Sequence, residues 1–157
     1  MLALVPADYQ YQDTYFVVGH FHYVLVPGVI FALFAATYYW IPKWTGHMYS
    51  ECIGKWHFWL SVISVNIAFF PMHFLGLAGM PRRIPDYALQ FTNFNMISSV
   101  GAFIFGFSQL LFLYNVIRTI KHGKKATDRV WEGAHGLEWT LSSPPPYHSF
   151  TTPPVIH

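Results

Sequence analysis

Charged and apolar positions alternate along this chain in blocks. No Asp, Glu, Lys or Arg occurs from Thr14 to Pro42, from Trp56 to Pro81, or from Tyr87 to Ile117. Each block exceeds the roughly 20 residues that cross a hydrocarbon core of about 30 Å. The pattern predicts three transmembrane helices, at about 14–40, 55–75 and 93–120. The Ile41-Pro42 pair and Gly46 stop the first; Gly76, Gly79 and Pro81 follow the second; Gly123 is the expected C-cap of the third. Residues 1–13 form a short leading segment. From residue 122 to 157 the chain turns polar and rich in Trp, Pro and His, with the run Pro144-Pro145-Pro146. That tail reads as an extended segment lying on a larger protein, too short and irregular to bury a core of its own. No internal repeat is visible.

Composition agrees with a bilayer. Hydrophobic residues make up 54% of the chain and aromatic residues 20%, with only 10% charged, against about 25% charged in a soluble domain. The fold class is therefore all-α integral membrane. Aromatic residues and His occur around much of each helix, which favours surroundings of other protein and cofactor over lipid on all sides. The single cysteine, Cys52, excludes an internal disulfide framework and reads as an unpaired loop thiol. No basic cluster points to nucleic acid. Lys43 and Lys55 bound the first loop, and Arg118, Lys121, Lys124, Lys125 and Arg129 follow the third helix. The positive-inside tendency places all seven, and the tail, on the cytoplasmic side. Arg82 and Arg83 then lie on the opposite face, against that tendency, which calls for an anionic partner there.

His20 and His22 fall inside the first predicted helix, in Gly19-His20-Phe21-His22-Tyr23. Each helical residue advances about 100°, so the two imidazoles point roughly 200° apart and cannot share one metal on a regular helix. On a strand the same spacing would place both on one face, but the long uncharged run excludes a strand. The helix thus offers one imidazole to each of two opposite neighbours. Neutral imidazole is a good haem-iron ligand and puts no charge in the membrane. The alternative is a hydrogen bond from each His to a neighbouring helix. Gly19 leaves room for a flat macrocycle against the backbone.

Three stretches carry a family resemblance. The run from Asp13 to Val24 resembles the tenth transmembrane helix of cytochrome c oxidase subunit I, in the haem-copper oxidase family. Phe69-Phe70-Pro71-Met72-His73-Phe74-Leu75-Gly76 and Gly79-Met80-Pro81-Arg82-Arg83 resemble the end of its eleventh helix and the following loop. Leu137-Glu138-Trp139-Thr140-Leu141-Ser142-Ser143-Pro144-Pro145-Pro146 resembles the tail of bacterial members. The resemblance covers nearly the whole chain in one register.

It implies that the chain is the C-terminal part of subunit I, the last three helices of a twelve-helix bundle, in a bacterial plasma membrane. His20 is then the ligand of the high-spin haem that faces copper B, His22 an axial ligand of the low-spin haem, and Phe21 packs between the two haems, of A type. Arg82 and Arg83 match the pair that binds haem propionates; a headgroup anchor is the alternative. Asp13 matches the aspartate of a magnesium or manganese site. Gln12 stands where the family usually has His, and an amide oxygen is a coordinating group too. The alternative for Asp13 is a helix cap through the Thr14 and Tyr15 amides. Met72 and Ile84 replace the usual Gln and Tyr.

His73 is expected to hydrogen-bond near the haem edges, and His57 to be an interfacial histidine. His47, His122, His135, His148 and His157 read as solvated. The implied partners are the N-terminal part of subunit I, subunit II with its dicopper centre, subunit III, cytochrome c as donor, and membrane lipid. The ligands of copper B, the second low-spin ligand and the proton-pathway carboxylates belong to earlier helices, so the piece is expected to be inactive alone. A quinol oxidase subunit and a non-catalytic helical protein with structural histidines are the competing readings.

Overall fold

The structure, a computed structural model, describes residues 2–154; His157 lies outside the described residues. A short helix α1 (Val5–Tyr11) opens the chain, with a proline in its first turn. Three helices long and apolar enough to cross a membrane follow: α2 (Tyr15–Thr45), α3 (Glu51–Leu77) and a third at Leu89–His122. The third begins as a 3₁₀ turn, Leu89–Phe91, and continues as α4 (Thr92–His122). Two-residue strands, β1 (His47–Met48) and β2 (Lys124–Lys125), pair antiparallel. The spans extend past their expected limits because polar and basic residues at the interfaces keep helical backbone; only the bilayer-facing turns need be apolar.

α2 runs through Pro42 to Thr45, although the Ile41-Pro42 pair was expected to stop it. Pro42 costs the helix the one N–H that would return to the Tyr38 carbonyl, the helix continues for a further turn, and Gly46, at φ +71°, makes the expected stop. Midway, at Val26–Ile30, α2 widens into a π turn closed by Phe31 N–H on the Val26 carbonyl. Pro27 causes this locally, since it has no N–H to return to the turn before it.

The chain forms two compact units, each crossed by the long helices. One comprises the residues up to Ala32 together with Lys55–Leu111. Here α3 meets α4 through small residues. Gly101 lies so close to the Ala68 backbone that a Cβ would collide with it, and the buried Ser61 and Ser108 hydroxyls bond at 2.9 Å. Close backbone approach of this kind is what small residues permit between membrane helices. α3 meets α2 the same way, with Gly76 against the Phe16 backbone. α3 ends in a Schellman turn: Met80 N–H bonds the Leu75 carbonyl, and Gly79 takes φ +87°. Leu75, Met80 and Phe91 form the buried core that fixes the following loop, with Tyr15 and Ile84 against it.

The second unit comprises Leu33–Gly54 with the chain from Phe112 onward. Asn115, buried on α4, bonds both the N–H and the carbonyl of Ser50 and so pins the start of α3. Cys52, expected in a loop, stands exposed in the first turn of that helix. Gly123 follows α4 without a left-handed φ; a Cβ there would lie 2.7 Å from His47 Cβ, so close packing against β1 requires the glycine. The tail is irregular but does bury one side chain. Trp139, in a 3₁₀ turn at Leu137–Thr140, is 1% exposed and packs edge-on against Tyr39. Lys43, expected at a loop, is buried beneath it and donates to the Leu141 carbonyl at 2.8 Å and the Asp128 carbonyl at 3.1 Å.

Candidate functional site

The residues of interest collect at the start of α2 and the loop after α3. Thr14 is the N-cap of α2: its Oγ1 accepts from Phe16 N–H and donates to the Tyr11 carbonyl. Asp13 therefore does not cap the helix. The two amides it was to hold are taken by carbonyls, Thr14 N–H by Tyr11 and Tyr15 N–H by Met80. Instead Arg82 Nε donates to Asp13 Oδ1 at 2.7 Å, a terminal guanidinium nitrogen lies 2.6 Å from the same oxygen, and Arg82 N–H bonds the Asp13 carbonyl. Asp13 and Arg83 both hold positive φ, 55° and 62°, a sparsely populated backbone region often found at functional sites.

This gives Arg82 the anionic partner that its position demanded. Arg83 is exposed and makes no hydrogen bond or ion pair among the described residues. Gln12 is exposed beside Asp13. Among the described residues no group of three His, Cys, Asp or Glu side chains gathers around one point.

His20 and His22 stand on one continuous helical segment, Tyr15–Leu25. His22 Nδ1 lies 2.7 Å from the Val18 carbonyl and must donate to it, which leaves Nε2 as the open lone pair. Its ring stacks between Phe69, at 4.1 Å between centroids, and Phe21, at 4.5 Å. Phe21 remains 37% exposed. The His20 imidazole is exposed and makes no hydrogen bond or ring contact among the described residues.

Gly19 has a different neighbour from the one anticipated. The flat ring against it is His73: a Cβ on Gly19 would fall 2.9 Å from His73 Cε1. His73 bonds the Phe70 carbonyl on its own helix and meets Phe16 edge-on. His57 is buried and hydrogen-bonds the Gln109 side chain on the neighbouring helix. Two features were missed in the sequence. Tyr23 donates to Asn66 at 2.7 Å, for which a tyrosine and an amide in charge-free runs were the available signal. The π turn four residues after His22 was announced by Pro27-Gly28.

Comparison with known proteins gives the family. Residues 1–104 match the model described as cytochrome c and quinol oxidase polypeptide I. Cytochrome c oxidase subunit 1 of Bacillus sp. (strain PS3) is 46% identical over 99% of this chain. A putative cytochrome c oxidase subunit 1-beta of Streptomyces coelicolor is 48% identical, and quinol oxidase subunit 1 of Bacillus subtilis 46%, each over 99% of the chain. The chain spans 26%, 28% and 25% of these relatives' own lengths. With similarity running along 99% of the chain, through the His20–His22 helix and the two other membrane-length helices, this chain belongs to the cytochrome c and quinol oxidase polypeptide I family.

Proposed function

We propose that this chain supplies one imidazole ligand to each of two haems in the catalytic subunit of a terminal oxidase that takes electrons from cytochrome c, reduces oxygen to water and moves protons. The observation that carries this reading is the pair His20 and His22 on one helix, roughly 200° apart, in a chain of this family. The residues fit the group. A carbonyl bond on Nδ1 is the usual device that aims Nε2 of a ligating histidine, and His22 has it. His20 presents an uncommitted ring. Bound haem would supply the redox-active iron, and oxygen binding belongs to the His20 side.

Around the ligands the chain's residues orient and shield. Phe21 and Phe69 clamp the two faces of the His22 ring and so fix its plane. Arg83 is free for a propionate, and Arg82 is to share its guanidinium between a propionate and Asp13. Asp13 Oδ2 and the Gln12 amide oxygen are the donors for a magnesium or manganese ion. Haems of A type, copper B on other parts of subunit I, subunits II and III, and a bacterial plasma membrane with the tail cytoplasmic complete the proposal.

The test replaces each histidine in the assembled oxidase. His22→Ala should remove the low-spin haem spectrum and spare the high-spin one; His20→Ala should do the reverse. Retention of both spectra in both variants would overturn the assignment. Quinol as donor is the second reading, supported by a quinol oxidase relative of equal identity. Turnover with reduced cytochrome c and not with quinol decides for the first.

A further inference from the structure

A cleft of about 330 Å³ opens where α4 ends, far in sequence from the histidine pair and independent of it. Met48, Tyr49, Arg118, His122 and Lys124 are among the residues that line it. Among its lining residues are two permanent cations and an imidazole, and no carboxylate. The side chains of Arg118, His122 and Lys124 have no hydrogen bond or ion pair among the described residues. Pairing of β2 with β1 holds the Lys124 backbone beside Met48, so the positive groups converge on one space. Tyr49 adds a phenol that burial, with help from Glu51, holds above its ordinary pKa, so it stays a proton donor.

We propose that this cleft binds the phosphodiester headgroup of an anionic phospholipid. The cations and phenol suit a phosphate oxygen cluster. What points to a lipid is the helix face below. Tyr114, Arg118 and His122 follow one another at intervals of four and so share a face of α4. Tyr114 and the adjoining Ile117 are exposed on the membrane-ward turn. An acyl chain hanging from a headgroup at Arg118 would run along them, whereas a free anion has no use for that surface.

The experiment uses the assembled, detergent-purified complex after lipid removal. It is titrated with dioleoyl phosphatidylglycerol, with inorganic phosphate as competitor, and bound lipid is counted by native mass spectrometry. Each basic residue near an anionic headgroup is worth roughly fivefold. Arg118→Gln with Lys124→Gln should therefore weaken lipid binding about 30-fold, and Arg129→Gln, outside the cleft, should leave it unchanged. Should the double variant not assemble, Lys124→Gln alone is expected to lose about fivefold. Equal affinity in the variants and the parent would overturn the proposal. Displacement of the lipid by equimolar phosphate would overturn its lipid source and assign the cleft to a free anion.

Discussion

Arg82 reaches back across 69 residues to hold Asp13, with Nε and a terminal nitrogen both on Oδ1. The Asp13 side chain is 71% exposed and Arg82 26%, so water screens the pair and it adds little to stability. Asp13→Asn should lower unfolding free energy by less than about 1 kcal/mol. At the ion site proposed for Asp13 the effect should be larger: in the assembled complex loaded with Mn(II), the electron paramagnetic resonance signal of site-bound manganese should disappear. A variant that keeps the signal would remove Asp13 from the ion site.

The glycines of the helices separate into two kinds. At Gly76 and Gly101 a Cβ would strike neighbouring backbone, of Phe16 and Ala68, whereas at Gly106 it would meet nothing within 4 Å. Backbone cannot rotate aside as a side chain does. Gly76→Ala and Gly101→Ala should each cost about 1–3 kcal/mol or more, and Gly106→Ala should stabilise by up to about 1 kcal/mol through helix propensity. Unfolding titrations in mixed micelles measure all three; equal effects would refute the packing described.

The three membrane helices were legible because their evidence is local: an uncharged run longer than the bilayer announces itself in one stretch of sequence. Their ends were less so. Lys55 and Glu51 belong to α3 because backbone hydrogen bonding continues past the apolar turns, and Asn115 determines where it begins from 65 residues away. The candidate site divides the same way. The opposed directions of His20 and His22 follow from helical pitch, whereas the His73 ring on Gly19 and the Arg82–Asp13 pair require knowing which helices adjoin. The burial of Trp139 and Lys43 is hidden for that reason, since a buried amine among carbonyls leaves no periodic trace.

Ser61 and Ser108 share a buried hydrogen bond of 2.9 Å, and the Ser108 hydroxyl also accepts from Gln109 at 2.8 Å. Removing the Ser108 hydroxyl strands that of Ser61 away from water, whereas removing Ser61 leaves Ser108 bonded to the Phe105 carbonyl and to Gln109; removing both leaves neither hydroxyl unsatisfied. Ser61→Ala should cost about 1 kcal/mol, and adding Ser108→Ala should cost less than the sum. The expected coupling in a double-mutant cycle is about 0.6 kcal/mol, the usual size between membrane helices. Strict additivity would mean that the two hydroxyls do not interact.

Lys43 ties the tail to the membrane helices. It is 3% exposed, donates to the Leu141 and Asp128 carbonyls, with Ser142 at 3.4 Å, and lies 5.1 Å from the centre of the Trp139 ring. Lys43→Met keeps the bulk of the side chain and its contact with the indole but removes every donor. The Leu141 carbonyl then faces an apolar group, at a cost of about 1–3 kcal/mol. That loss falls on tail docking, because α2 keeps its own backbone bonds. Amide hydrogen exchange in the assembled protein should therefore speed up from Asp128 to Ser142, by about tenfold or more, and stay unchanged in Tyr15–Leu25. Unchanged exchange in the tail would mean that Trp139 packing alone holds it, and Trp139→Ala should then produce the release that Lys43→Met did not.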